Sequence, residues 1–346
     1  MIRRKLVLWG GGACLLLLFS IVISLSLGSA GVPLHEVWGI LFHRLTGWGD
    51  GTGWTAAHEQ IVFNVRFPRV VLGILVGATL GVAGSGFQGV LRNPLADPYT
   101  LGIASGCSVG AAFIILFGWQ QVLGRWTIPI VAFLTGMFTL VVVLRLAYRE
   151  GKARTETLIL AGVVMQAFMA AFVTLLVSLA GQYATEIVFW VMGSLSLRGW
   201  EYSALLLPYF LLGFIIMLRF VRELNLFALG ERQAAHLGVN LERMKVVVLV
   251  VSTLMTAAAV SVCGVIAFVG LVVPHLIRLA LGPDYRLIVP ISAAVGGLYV
   301  LWSDTLARAA LSPREIPLGV VTALLGTPFF AYLLRRHKMG KAGETG

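Results

Sequence analysis

Ten windows of about 20 mostly apolar residues follow one another along the chain, near 6–27, 70–88, 99–118, 127–146, 157–180, 202–218, 246–262, 264–281, 287–303 and 317–334. Each is about as long as an α-helix must be to cross the hydrocarbon core of a bilayer. Short polar segments separate them, and no stretch reads as a soluble domain or a linker. The pattern predicts an all-α fold, a polytopic membrane protein with about ten transmembrane helices in a single domain over 1–346. The eighth window is the least regular, because Pro274 interrupts it and Gly264 and Gly270 loosen its start. A short broken or re-entrant piece is expected there.

Within the second window, Gly73, Gly77, Gly81, Ser85 and Gly89 place a small residue at every fourth position along one helix face. Such a face lets two backbones approach closely. It fits ordinary packing in a crowded bundle, and it also fits a helix beside a pathway. Gly84 and Gly86 loosen the inner end of the same helix. The first window, Leu6–Leu27, follows Arg3, Arg4 and Lys5 and precedes Gly28-Ser29-Ala30, which has the form of a signal-peptide cleavage site. Its 22 residues exceed the ~7–15 of a signal-peptide core and suffice to cross a bilayer, so it is read as an uncleaved first span.

Composition agrees. Of 346 residues 58% are hydrophobic and only 12% charged, against about 25% charged in a soluble domain. Lipid must be the main solvent. The net charge of +11 would suit nucleic acid only if it were gathered into a patch, and here it is spread between the windows. With ten spans, 19 of the 26 lysines and arginines fall in one set of alternating segments, together with both termini. The other set holds Arg44, Arg66, Arg69, Arg125, Arg198, Arg308 and Arg314. The positive-inside rule then places both termini in the cytoplasm of a bacterial inner membrane. Cys14, Cys107 and Cys263 all lie in apolar stretches and read as small buried hydrophobes, with neither a disulfide framework nor metal-ligand spacing.

Several chemistries are missing. No GxxxxGK[ST] loop exists, since Gly151-Lys152 and Gly340-Lys341 are both followed by Ala, so the chain cannot cradle ATP phosphates in the P-loop manner. HExxH and Cys/His clusters are also absent, so the chain is not expected to be an enzyme. Glu156, Glu201 and Asp304 lie at window ends, and the deeper polar residues include Gln88, Gln166 and His275. His275 follows a helix-breaking proline and suits either a local structural bond or a functional role. A midplane charge usually marks an ion or proton relay; without one, the energy source is expected on another chain.

Two polar segments carry more information. Arg92-Asn93-Pro94-Leu95-Ala96-Asp97-Pro98 follows the glycine-rich window, with two prolines to stiffen it and Asn93 and Asp97 suited to tight turns. It fits a rigid gate loop or a plain connector. Leu229–Gly238 reads as a short helix closed by Gly238, followed by a second turn capped by Asn240. A helix this short needs something to dock against, either a partner protein or the bilayer surface.

These segments, with Arg66-Phe67-Pro68-Arg69, Gly264–Leu279 and Arg314–Phe330, resemble in matching order the FecCD-type permeases, the family of vitamin B12, ferric-siderophore and haem importer permeases. The resemblance covers nearly the whole chain. It implies a type II ABC importer permease fold of ten helices, working as a homodimer or a close pair of homologues. Two cytoplasmic ATPase subunits and an extracytoplasmic binding protein are implied as partners. It implies no cofactor on this chain, ATP and Mg belonging to the partner ATPase.

Residue by residue, the resemblance implies ATPase coupling at Leu229, Gly230, Glu231, Ala234, Ala235, Leu237 and Gly238, within a coupling loop at about 224–244. It implies a cytoplasmic gate at Asn93, Leu95 and Thr155. Docking of the binding protein is implied at Arg66, Arg69 and Arg308, for which snorkelling to lipid headgroups is the other reading. Gly73, Gly77 and Gly81 are expected in helix packing. The competing function class is a secondary transporter or channel without an ATPase, which the coupling segment disfavours. The sequence leaves open which ligand crosses, whether iron-siderophore, haem or a cobalamin-type corrinoid.

Overall fold

The computed structural model describes residues 2–28, 31–48, 53–149, 152–153 and 155–342. Part of the expected cleavage site and part of the Gly/Trp-rich 45–60 stretch therefore lie outside the described residues. Helix α1 spans Ile2–Ser26 and is followed by a short amphipathic helix, α2, Leu34–Thr46. The longest helix, α3, runs from Ala56 to Val90 with one π-turn segment at Ile61–Arg66. Next come α4, Ile103–Leu116; the single turn α5, Trp119–Leu123; and α6, Thr127–Ala147. A two-residue antiparallel ladder, β1 Tyr148–Arg149 with β2 Lys152–Ala153, leads to α7, Thr155–Leu179. Short α8, Ala184–Val191, precedes α9, Trp200–Arg219. Two short helices follow, α10 Val221–Ala228 and α11 Glu231–His236. The last four are α12 Leu241–Cys263, α13 Val269–Leu281, α14 Tyr285–Ala309 and α15 Leu318–Ala342.

Seven of these helices are long and apolar enough to cross a membrane, and three more (α4, α13 and the Leu318–Tyr332 part of α15) are apolar but shorter. The ten coincide with the ten sequence windows. Only helices fit such a chain, because each backbone N–H and C=O away from water must find a partner within its own segment.

The centre of the bundle is α3. Its most apolar window is 83% buried inside the chain, against 11% for α1 and 28% for α7 and α9, so those three present most of their surface to the surrounding medium. The small-residue face of α3 explains its central place. A Cβ on Gly77 would run into the backbone carbonyl of Gly296, and one on Gly81 would meet that of Ser292, so α3 and α14 touch backbone to backbone. Further along, Gly84 meets Gly270 of α13 in the same way. Gly73 faces a side chain instead, with Leu195 Cδ1 3.2 Å from where its Cβ would stand.

The irregular eighth window is a real break. Gly264 and Phe268 both have positive φ, 75° and 70°, and the chain reaches α13 through the five non-helical residues 264–268. Pro274 lies inside α13 and has no N–H to offer the Gly270 carbonyl one turn earlier. Gln88 of α3 supplies the missing donor, with Nε2 3.3 Å from Gly270 O and 3.1 Å from Leu271 O. Tyr99 holds the break itself: its hydroxyl donates to Ile266 O at 2.5 Å and accepts from Ile266 N at 3.1 Å.

Cys107 and Cys263 are buried, as their apolar settings predicted, but Cys14 is exposed. It lies on α1, a peripheral helix whose apolar side chains face outward, so an apolar setting in sequence did not mean burial inside the protein.

Candidate functional site

The polar segments gather at two opposite ends of the bundle. At one end Lys5 reaches Leu281 O (3.4 Å), Asn225 reaches Asp284 (2.8 Å) and Tyr148 reaches Glu242 (3.3 Å). These segments are the ones the charge count assigned to the inside. At the other end Arg66 reaches Leu25 O (2.7 Å), Arg125 reaches Glu201 (2.8 Å) and Ser196 reaches Glu315 (2.5 Å).

The first end carries the short docking helix. Gly230, with φ 130°, opens α11, and Gly238, with φ 82°, closes it. Gly238 N–H donates to Ala235 O and Val239 N–H to Ala234 O, both at 3.0 Å, the paired bonds of a Schellman cap. Asn240 Oδ1 then accepts from Arg243 N at 3.0 Å and starts α12. The two turns read from the sequence are both present.

One part of the expected coupling face needs correction. Ala234 is fully buried against this chain's own core, among residues such as Phe227 and Met244. Its helix position turns it inward, so it cannot be an outward contact. The outward face is made by Leu229 (64% exposed) and Leu237 (58%), together with Arg232, Ala235 and His236. Glu231 ties the helix down instead: its carboxylate is 2.9 Å from the ammonium of Lys245, a buried lysine on α12.

A chain of contacts runs from this helix to the 92–98 loop. Phe227 is fully buried, with the Lys245 ammonium 5.5 Å and the Arg92 guanidinium 5.7 Å from its ring centroid. Both distances suit cation–π attraction. In the loop, Asn93 Oδ1 accepts from Leu95 N at 2.9 Å, the side-chain turn its sequence predicted. Asp97 caps the next turn by accepting from Tyr99 N at 3.1 Å. Burial pushes the Asp97 carboxyl up to about 7, against the opposing pull of that Tyr99 N–H. Leu95 is exposed. Thr155 opens α7, its hydroxyl shielded and without a hydrogen-bond partner among the described residues. No hydrogen bond joins Thr155 to Asn93 or Leu95, though the turn after Asp97 packs on α7, where Gly162 meets Thr100 and Leu101.

The other end corrects a second expectation. Arg66, Arg69 and Arg308 are not rim charges awaiting a partner, since only 6–9% of each is exposed. Arg69 makes a forked contact with Asp304 (2.9 Å) and a second with Glu315 (2.9 Å). Arg308 reaches the same Asp304 at 3.1 Å, one turn away on α14, and Leu27 O at 2.9 Å. Arg66 donates to Leu25 O and Ser26 O. The three arginines thus bind the end of α1, α3, α14 and the 310–317 segment together. Snorkelling does not describe them either. The Asp304-x-x-x-Arg308 spacing was a visible signal for one of these pairs; the Arg69–Asp304 and Lys245–Glu231 pairs, far apart in sequence, gave none. Among the described residues, no group of three or more His, Cys, Asp or Glu side chains could hold a metal ion.

Comparison with known proteins places this architecture. Residues 16–336 match the FecCD transport family. The cobalamin import system permease protein BtuC of Halobacterium salinarum is 41% identical over 81% of this chain and 75% of its own length. The hemin transport system permease protein HmuU of Yersinia pestis is 37% identical over 94% of this chain and 96% of its own. A solved structure, described as an inward-facing conformation of a metal-chelate type ABC transporter, superposes with a TM-score of 0.81 at 32% identity, covering 94% of this chain and 98% of that one. The chain belongs to the FecCD transport family.

Proposed function

We propose that this protein is the membrane-spanning permease subunit of an ATP-driven importer, passing an iron-siderophore, haem or cobalamin-type ligand from a binding protein to the cytoplasm. The observation that carries this reading is α11. It is a capped helix of six residues, pinned from behind by Lys245, with the exposed Leu229 and Leu237 flanking it. A helix too short to persist alone, held rigid and presenting apolar side chains, suits transmission of force from a second protein. The chain has no phosphate-binding loop of its own, which fits an energy source on that protein. The related permeases for cobalamin and haem support the substrate class.

The full reading includes two ATPase subunits on the α11 end, a second permease copy, an extracytoplasmic binding protein at the opposite end, and both termini cytoplasmic. The charge bias of the segments supports that orientation. ATP and Mg are assigned to the ATPase and no cofactor to this chain.

Co-expression with the ATPase tests the reading. Leu237→Asp together with Leu229→Asp should strip ATPase subunits from the purified complex while the permease keeps its wild-type melting temperature. ATPase retained at wild-type stoichiometry would show that α11 rests on the membrane surface instead. Binding of haem, cobalamin and ferric siderophores to the partner binding protein then selects the ligand.

A further inference from the structure

Beside the C-terminal end of α11, with Leu237 and Gly238 in its lining, lies a cavity of about 370 Å³ between the end of α9, the helix α10 and the start of α12. Three arginines line it: Arg219 closing α9, Arg222 on α10 and Arg243 in the first turn of α12. One carboxylate shares the space, Glu223, 3.7 Å from Arg219. Arg222 and Arg243 have no carboxylate partner among the described residues. The N-terminus of α12, a 23-residue helix, also opens here and adds the positive end of its dipole. Apolar side chains, among them Phe220, Leu226 and Leu237, complete the lining. Three guanidiniums against one carboxylate leave the site short of negative charge. Guanidinium groups pair with phosphate oxygens in a forked, bidentate manner.

The face of α9 above the cavity says what carries the phosphate. Four, seven and eight residues before Arg219 stand Ile215, Leu212 and Leu211, on the same side of the helix. They are 64%, 56% and 47% exposed. An exposed apolar stripe therefore runs from the arginines along the membrane-spanning part of α9, while the opposite face buries Leu206, Gly213 and Met217. A free anion would use only the arginines. A molecule with an anionic head and apolar tails would use both.

We propose that this cleft is a binding site for an anionic phospholipid, its phosphate held by Arg222, Arg243 and Arg219 and its acyl chains lying along α9. The inference rests on the cytoplasmic placement of this end, where the leaflet is anionic and basic pockets between helices attract acidic headgroups. It does not depend on the identity of the imported ligand. Bound there, the lipid would brace α10 against α12 directly behind the α11 docking face.

Native mass spectrometry of the full-length permease with phosphatidylglycerol, phosphatidylcholine and inorganic phosphate tests it. Phosphatidylglycerol should be retained in preference to phosphatidylcholine. Arg222→Gln with Arg243→Gln should weaken phosphatidylglycerol retention about 10- to 30-fold, on the order expected for two basic groups near an anionic surface. Arg222→Lys with Arg243→Lys should keep most of it, and all variants should melt as wild type because these side chains are exposed. Equal retention of the two lipids, or an unchanged preference in the glutamine variant, overturns the proposal. Displacement of the lipid by millimolar inorganic phosphate would show a free-anion site instead. Loss of co-purified ATPase from the glutamine variant with lipid retention intact would assign the cleft to the partner protein, which also overturns it.

Discussion

Lys245, buried one turn into α12, holds Glu231 at the start of α11 at 2.9 Å, and this ion pair is what fixes the docking helix to the bundle. The two partners differ in cost. Removing the half-exposed Glu231 takes a carboxylate away from an ammonium that is buried inside the protein, beside the Phe227 ring. Glu231→Gln should therefore lower the melting temperature, by about 1–3 kcal/mol of stability, a fully buried pair costing about 3–5. Glu231→Gln with Lys245→Met should recover part of that loss while remaining uncoupled in transport. A double-mutant cycle on thermal unfolding and uptake checks both; additive effects would show that the pair contributes nothing.

At the opposite end Asp304 is almost wholly buried between Arg69 and Arg308. Arg69→Met leaves its carboxylate with one partner and Glu315 with none of its arginine contacts. The expected loss is about 3–5 kcal/mol, read as a large drop in melting temperature or in folded yield. Glu315→Gln should cost much less, because that side chain is 42% exposed. If the two variants behave alike, the network is not centred on Asp304.

The α3–α14 contact predicts a position-dependent response to bulk. At Gly77 and Gly81 an added side chain meets backbone, which cannot rotate away. Gly81→Leu should abolish assembly or transport, the clash exceeding the ~1–3 kcal/mol typical of overpacking against movable side chains. Gly11→Leu on α1 is the control, because a Cβ there meets nothing within 4 Å. Monodisperse yield in detergent and uptake read the difference, and wild-type yield for Gly81→Leu would show that this face looks onto lipid.

Asp97 predicts a pH dependence. Its carboxyl is raised to about 7 by burial, against about 3.9 in an unfolded chain. The folded state therefore binds this proton more tightly, so the contribution to stability is fully present below about pH 4. It is lost as pH rises toward 7 and is level above that. Asp97→Asn keeps the Oδ1 acceptor for Tyr99 N–H but does not titrate. Melting temperatures of the two proteins should converge near pH 4 and separate in favour of the asparagine up to pH 7. Parallel curves across that range would mean that Asp97 reaches water.

Much of the architecture was legible in the sequence because its determinants are local. A membrane-spanning helix satisfies its own backbone, so length and apolarity alone mark it; all ten windows became helices. The break before α13 was readable from Gly264 and Pro274, and the two caps at Gly238 and Asn240 from their residue types. The period-four glycines showed that α3 would be closely packed, but not that Gly77 would find Gly296 or that Gly73 would face a leucine side chain.

Tertiary structure decided whatever depends on which way a side chain turns and on which distant residue it meets. Ala234 and Leu237 lie three residues apart, yet one is core and the other surface: Ala234 sits within α11, while Leu237 stands at its C-cap, past the last helical residue. Arg66, Arg69 and Arg308 were noticed because they ran against the charge bias. Arg308 meets Asp304 one turn away on its own helix, but the partners of Arg66 and Arg69 lie on other segments tens to hundreds of residues away, and only the packing of α3 beside α14 brings Asp304 and Glu315 within reach of Arg69. Charge in this protein is placed by the bundle, while the bundle itself is placed by apolar length.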